Sequence, residues 1–149
     1  MKKILILGAG RSAYSLINYL ISQSEENQWQ IAVGDMSLDY LNSKYPDHPS
    51  LSKFSFDLAN EALLVSSVQN ADLVVSMLPA RFHVVVAKVC LAHAKHLVTA
   101  SYVSAEMRAM EAEAKQKGVL FLNEIGLDPG IDHLSAMQII DKLHAEGAK

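Results

Sequence analysis

Ile4-Leu5-Ile6-Leu7-Gly8-Ala9-Gly10-Arg11-Ser12-Ala13 is the stretch that decides the fold. Four apolar residues in a row, without polar alternation, read as a strand buried on both faces. Gly8-Ala9-Gly10-Arg11-Ser12-Ala13 follows at once and fits G-x-G-x-x-A. Ala13, Leu16, Ile17 and Leu20 then recur at helical spacing. Strand, glycine turn and helix in that order open a dinucleotide-binding βαβ unit. Gly8 permits the tight turn, Gly10 lets backbone approach a pyrophosphate, and Ala13 is small enough for the helix to pack on the sheet. The helix amino end, with Arg11 and Ser12 in its first turn, offers unpaired N–H groups and about half a positive charge to phosphates. The plainer alternative is a strand–helix turn that needs glycine for geometry alone.

Outward from this unit, short apolar runs alternate with helical patterns. Strands are expected over residues 4–7, 30–33, 54–57, 72–77, 96–100 and 119–123. Helices are expected over 38–44, 61–68, 104–117 and 131–146, with Gly118 closing the third of these. Phe82, Val85, Val86, Val89 and Cys90 form the apolar face of a further, buried helix. Ala136, Ile139, Ile140 and Leu143 share one face of the last. Apolar strands joined by helical crossovers imply an α/β fold. The expected form is a doubly wound parallel sheet of six strands with helices on both faces, the Rossmann arrangement. Residues 1–149 carry no internal linker or repeat, so one dinucleotide-binding domain is expected.

The chain has 149 residues, half of them apolar, and a net charge of 13 − 16 = −3. Without a basic run, nucleic acid is not an expected partner. Cys90 stands alone, which excludes an intramolecular disulfide framework. The apolar run after Met1-Lys2-Lys3 leads into Gly-x-Gly instead of a cleavage site, so it reads as a strand and not a signal peptide. No apolar run approaches membrane-spanning length, and a cytosolic protein is the default expectation.

Asp35, at the end of the second strand, stands where a carboxylate accepts from the adenosine ribose hydroxyls. A carboxylate there repels a 2′-phosphate, which puts NAD ahead of NADP as the expected cofactor. Arg11 argues the other way if it reaches that phosphate, and Asp35-Met36-Ser37 also reads as a turn or helix cap. Asp57 and Leu58 end the third strand near the adenine side, with an N-cap role the alternative for Asp57. Met77 and Leu78 end the fourth, over the crevice where the nicotinamide half runs. Asp132 and His133 alone are too few for a metal site, and none is expected. His83, His93, His96 and His144 read as surface or helix-end residues, and Cys90 as a buried small hydrophobe.

Four segments carry a family resemblance: LGAGRSA at residues 7–13, VVSMLPARFH at 74–83, TASYVS at 99–104 and NEIGLDPGIDH at 123–133. Together they resemble the glutamate-forming saccharopine dehydrogenases, also called saccharopine reductases. The last segment is the specific one. The VGDM stretch around Asp35 looks more like the NAD-using animal type than the fungal type. The resemblance implies an oxidoreductase of lysine metabolism that cleaves saccharopine to glutamate and 2-aminoadipate 6-semialdehyde, or runs the reverse, by hydride transfer at the secondary-amine carbon. It implies that Ala100, Ser101, Leu127, Asp128 and Pro129 border the cofactor. It also implies that Ser101, Tyr102 and Asp128 meet the substrate, a small amino acid. Asp128 suits a substrate ammonium, and Ser101 and Tyr102 can donate to a carboxylate. Family members carry a substrate domain after the last helix read here, and it is expected to lie outside this chain. No general acid or base is assigned, and a homodimer is allowed. The competing readings are a carboxynorspermidine dehydrogenase-like enzyme and a nonenzymatic NAD-sensing module.

Overall fold

The computed structural model of the chain describes residues 1–148. Its strands are β1 (Lys2–Leu7), β2 (Trp29–Asp35), β3 (Leu51–Ser55), β4 (Leu73–Ser76), β5 (His96–Thr99) and β6 (Phe121–Leu122). Its helices are α1 (Tyr14–Asn27), α2 (Leu38–Lys44), α3 (Glu61–Gln69), α4 (His83–Ala92), α5 (Ala105–Ala109), α6 (Glu111–Gln116) and α7 (Ile131–Ala145). The strands form a six-stranded sheet in the order β3-β2-β1-β4-β5-β6, and every pairing is parallel. This is the doubly wound Rossmann order, with the strand order reversing between β1 and β4.

The run Ile4–Leu7 explains the two layers. Alternate strand residues point to opposite faces, and all four of these are at most 6% exposed. Leu5 and Leu7 join a core with Leu64 and Val68 of α3, Val86 and Cys90 of α4, and Met107 of α5. Ile4 and Ile6 join the opposite core with Ala13, Ile17 of α1 and Leu41 of α2. Two faces of one strand thus seed two separate helix layers.

Several elements depart from the sequence reading, each for a local reason. β3 begins at Leu51 instead of residue 54, because its backbone pairs with β2 from Ile31↔Leu51 to Asp35↔Ser55. It is an edge strand, so Ser52 and Lys53 need not be apolar. The helix expected over 104–117 is two. The Met110 N–H bonds to the Met107 carbonyl only three residues back (3.2 Å), which tightens the last turn of α5 before α6 starts. β6 is cut to two residues: past Leu122 the chain turns at Glu124 (φ 63) and bonds to the segment after β5. On α4 the buried face is His83, Val86, Ala87, Cys90 and Leu91, while Val85 is exposed. α7 buries none of its residues, and Ile131, Leu134, Ile139 and Leu143 all lie open. Among the described residues no helix is long and apolar enough to cross a membrane.

Candidate dinucleotide crevice

A crevice of about 710 Å³ opens at the carboxyl ends of the strands, at the β1–β4 reversal. Its floor is Gly8 and Gly10, with Ser12 beside them. Asp35 and Met36 from β2, and Asp57 and Leu58 beyond β3, form one side. Met77, Leu78 and Arg81, following β4, form the other. Ala13 is fully buried, and Arg11 is exposed; neither lines the crevice.

The loop's shape follows from its glycines. Gly8 sits at φ +93, and a Cβ there would lie 2.9 Å from the Met77 carbonyl oxygen. Gly10 is at φ −58, ordinary for any residue, and an added Cβ would meet nothing within 4 Å. Neither the backbone nor its surroundings therefore require glycine at position 10, in contrast to position 8. A 3-10 turn (Arg11–Ala13) leads into α1, closed by Ala13 N–H to the Gly10 carbonyl at 2.9 Å. The amides of Gly10, Arg11 and Ser12 find no acceptor among the described residues. Three unpaired donors at a helix amino end, backed by its dipole, have the chemistry to seat an anion.

Asp35 has a structural task as well as a place in the crevice. Its Oδ2 accepts from the Ala9 N–H at 2.8 Å, and its Oδ1 from the Ser37 N–H at 3.3 Å. It therefore braces the glycine loop against β2. The cap of α2 is Ser37, whose Oγ accepts from the Tyr40 N–H. Asp57 does not cap α3 either: it accepts from the Ala59 N–H (2.9 Å), and Asn60 takes the cap.

The remaining expected residues, Ala100, Ser101, Tyr102, Leu127, Asp128 and Pro129, do not line this crevice. They gather past β5 and β6, where two loops are bonded to each other. Glu124 N–H donates to the Ser101 carbonyl (3.1 Å), and the Glu124 carboxylate accepts from the Val103 N–H (3.0 Å). Gly126 sits against Ala100, where a Cβ would come within 3.0 Å of the alanine methyl. Pro129 is buried, and its carbonyl accepts from the Gly126 N–H, so Leu127 and Asp128 project from a closed turn. Tyr102 donates its hydroxyl to Asp128 at 2.7 Å, and this bond holds the phenol above its ordinary pKa. Asp128, Asp132 and His133 each bring one ligand atom within 4.8 Å of the others, all three exposed. His133 is bonded to Asp132 at 2.8 Å, which raises its pKa.

His83 corrects the sequence reading most sharply. It is not at the surface: it is 5% exposed, with Nδ1 2.8 Å from Ser76 Oγ and Nε2 2.8 Å from Ser101 Oγ. A signal was there to find it. His83, Val86, Ala87, Cys90 and Leu91 fall at i, i+3, i+4, i+7 and i+8, the spacing of one buried helix face. Burial lowers the His83 pKa below 6.5.

The two histidines are expected to titrate on opposite sides of 6.5 when followed by imidazole NMR, His83 below and His133 above. Between the folded pKa of His83 and 6.5 the unfolded chain binds more protons. Stability linked to His83 is thus complete above 6.5 and falls as pH drops below it. The His133 contribution is complete below 6.5 and lost as pH rises through its folded value. A His83 midpoint at or above 6.5 would contradict its burial between two serines.

A parallel sheet in this order, with an anion seat at its reversal point, defines a nucleotide-binding domain of the Rossmann class. Residues 4–122 match the model of the saccharopine dehydrogenase NADP-binding domain. The chain belongs to that family. It is 36% identical over 149 residues to a Schizosaccharomyces pombe saccharopine dehydrogenase (NADP(+), L-glutamate-forming), covering 100% of this chain and 32% of that one. It is 39% identical over 151 residues to the mitochondrial alpha-aminoadipic semialdehyde synthase of Mus musculus, covering 99% of this chain and 16% of the relative. The structure of apo saccharopine dehydrogenase (L-Glu forming) from Saccharomyces cerevisiae superimposes with a TM-score of 0.85 at 33% identity, over 99% of this chain and 32% of that one. The chain thus spans about a third of the length of its fungal relatives. The NADP in the family and fungal names runs against the NAD expected from Asp35.

Proposed function

We propose that the chain is the nucleotide-binding part of a saccharopine dehydrogenase-type oxidoreductase of lysine metabolism. The observation that carries this is the anion-seat crevice at the β1–β4 reversal, in a chain similar from end to end to such enzymes. The reaction is the oxidative cleavage of saccharopine, or its reverse: hydride leaves the secondary-amine carbon, and water adds to the resulting imine carbon to release glutamate and 2-aminoadipate 6-semialdehyde. A bound nicotinamide dinucleotide supplies hydride transfer at the secondary-amine carbon. The residues fit such a group, because open space beside Gly10 lies where a pyrophosphate must approach the backbone.

The amides of Gly10, Arg11 and Ser12 hold the pyrophosphate, with Gly8 and Ala13 shaping the loop. Asp35 and Met36 border the adenosine ribose, and Asp57 and Leu58 the adenine. Met77 and Leu78 wall the run towards the nicotinamide. Ala100, Ser101 and the Leu127-Asp128-Pro129 turn border the reacting end. Ser101, Tyr102 and Asp128 face the substrate. The bond between Tyr102 and Asp128 keeps each from a ligand until substrate separates them. Asp128 then takes an ammonium and Tyr102 a carboxylate.

The cofactor proposed is NADP ahead of NAD. Asp35 already accepts two backbone N–H groups, one on each oxygen, which occupies part of its capacity to accept from ribose hydroxyls. Exposed Arg11 has no carboxylate within 4.0 Å among the described residues, which leaves its cation unpaired for a 2′-phosphate. Fluorescence titration is expected to give tighter binding of NADPH than NADH. Arg11→Ala should cost NADPH about ten-fold, the loss of one charge-assisted hydrogen bond, with little effect on NADH. Tighter NADH binding, unmoved by Arg11→Ala, would return cofactor choice to the Asp35 carboxylate. Binding of neither nucleotide would overturn the function.

A further inference from the structure

Ser76, His83 and Ser101 form a hydrogen-bonded row, from the carboxyl end of β4 through the first residue of α4 to the segment after β5. Ser76 is fully buried and His83 nearly so, while Ser101 is half-buried at the outer end. Both imidazole nitrogens are engaged at 2.8 Å. His83 does not line the crevice at the β1–β4 reversal.

The direction of the row follows from hydrogen-bond satisfaction. A neutral imidazole has one N–H donor and one bare nitrogen acceptor. The His83 pKa is lowered by burial, and the amino end of α4 opposes a cation there as well. If Nδ1 carried the proton, the Ser76 hydroxyl hydrogen would be buried with no acceptor among the described residues, because Ser76 Oγ has no other side-chain partner. An orphaned buried donor makes that tautomer the costlier one. With the proton on Nε2, Ser76 O–H donates to Nδ1 and Nε2–H donates to Ser101 Oγ. Every buried group is then paired. The one hydrogen left over is that of the Ser101 hydroxyl, at the solvent-facing end.

Its position says what it meets. The anion seat lies at β1 and Asp35 at β2. A dinucleotide with adenosine on the β2 side must extend the other way, over β4 towards β5. Ser101 follows the carboxyl end of β5. We propose that His83 is a positioning residue: by accepting from Ser76 and donating to Ser101, it aims the Ser101 hydroxyl at the carboxamide oxygen of the nicotinamide. A lone serine would rotate its O–H towards whatever acceptor was nearest. Held from behind by an N–H donor, it keeps its hydrogen and one lone pair for a ligand, and the O–H is polarised into a better donor by the bond its oxygen accepts. This deepens the dinucleotide reading above and rests on it.

Two substitutions separate positioning from mere filling of the core. His83→Asn places an amide near Nδ1 and keeps a partner for Ser76 but none for Ser101. His83→Gln reaches the Nε2 position and keeps the donor to Ser101. The 149-residue chain and its variants are titrated with NADPH and with 2′-phospho-ADP-ribose, which lacks the nicotinamide; NADH and ADP-ribose form a parallel pair. Ser101→Ala and His83→Asn are expected to weaken binding of the full dinucleotide about two- to ten-fold, one neutral hydrogen bond, without moving the nicotinamide-free ligand. His83→Gln should stay within about two-fold of the unaltered chain, the lower edge of that range. Equal losses for both ligands, or unchanged dinucleotide affinity in His83→Asn, would overturn the positioning role. If the His83 variants fail to fold, Ser101→Ala decides alone, and an unchanged NADPH affinity in it overturns the proposal. An unaltered chain that binds neither member of either pair would instead bring down the dinucleotide reading and this inference with it.

Discussion

Valine at position 10 is expected to leave the chain folded and to remove its affinity for nicotinamide dinucleotides. The backbone at Gly10 has φ −58 and ψ 178, which any residue adopts, and a Cβ would meet nothing within 4 Å. Stability should therefore hold or rise slightly, because a side chain narrows the unfolded ensemble. The added methyls instead occupy the crevice at the amides of Gly10, Arg11 and Ser12. A pyrophosphate pushed off two of those donors loses about 1.5–3 kcal/mol for each charge-assisted bond. At about 1.4 kcal/mol per factor of ten, affinity falls by more than roughly a hundred-fold. NADPH titration alongside a melting curve decides it. A folded Gly10→Val chain that binds NADPH as the unaltered chain does would disprove the phosphate-seat assignment.

The sheet was legible because its strands carry their own pattern. Ile4–Leu7 and the run at 72–77 are apolar without alternation, as only strands covered on both faces need to be. α2 begins and ends where its Ser37 cap and the prolines after it place it. What stayed hidden depends on partners distant in sequence. β3 takes its start from the β2 backbone, not from its own side chains. The break at Met110 is a single i→i−3 bond with no glycine or proline to announce it. His83, one polar residue at the end of an apolar helix face, reads as a surface or helix-end group until Ser76 and Ser101 are seen on either side. Residue roles in the candidate site were legible only in part. The G-x-G-x-x-A pattern marks Gly8 and Gly10 alike, yet only the structure separates a glycine required by backbone geometry from one whose backbone any residue can adopt. Asp35 reads as a crevice residue from the sequence, but its bond to the Ala9 amide joins the end of β2 to the glycine loop across 26 residues and leaves no local trace. That bond also weakens the argument from its charge to cofactor choice. The apolar face of α7 was legible as periodicity, but periodicity does not tell what covers it.

The contrast between the two glycines sets up the second large effect, this time on stability. Gly8→Ala is expected to destabilise the fold by about 2–5 kcal/mol, summing a strained backbone conformation and overpacking. Gly8 lies at φ +93, outside the range L residues adopt comfortably. Its new Cβ would lie 2.9 Å from the Met77 carbonyl oxygen and 3.2 Å from the Leu78 amide nitrogen. Neither atom is the end of a flexible side chain. The Met77 N–H is bonded to the Leu7 carbonyl, and the Gly8 N–H to the Gly34 carbonyl, both at 2.8 Å. Relief requires β1 to move from β4 at the reversal point of the sheet, and the interior is too closely packed to absorb that cheaply. At about 2–4 °C per kcal/mol for a domain of this size, the melting temperature should drop by roughly 4–20 °C. Gly10→Ala, with a permissive backbone and no neighbour, is the matched control and should lie within about 1 kcal/mol of the unaltered chain. Calorimetry of the pair reads the difference directly. Equal melting temperatures for the two alanine variants would mean that the loop does not press on β4 as described, and that both glycines serve the ligand alone.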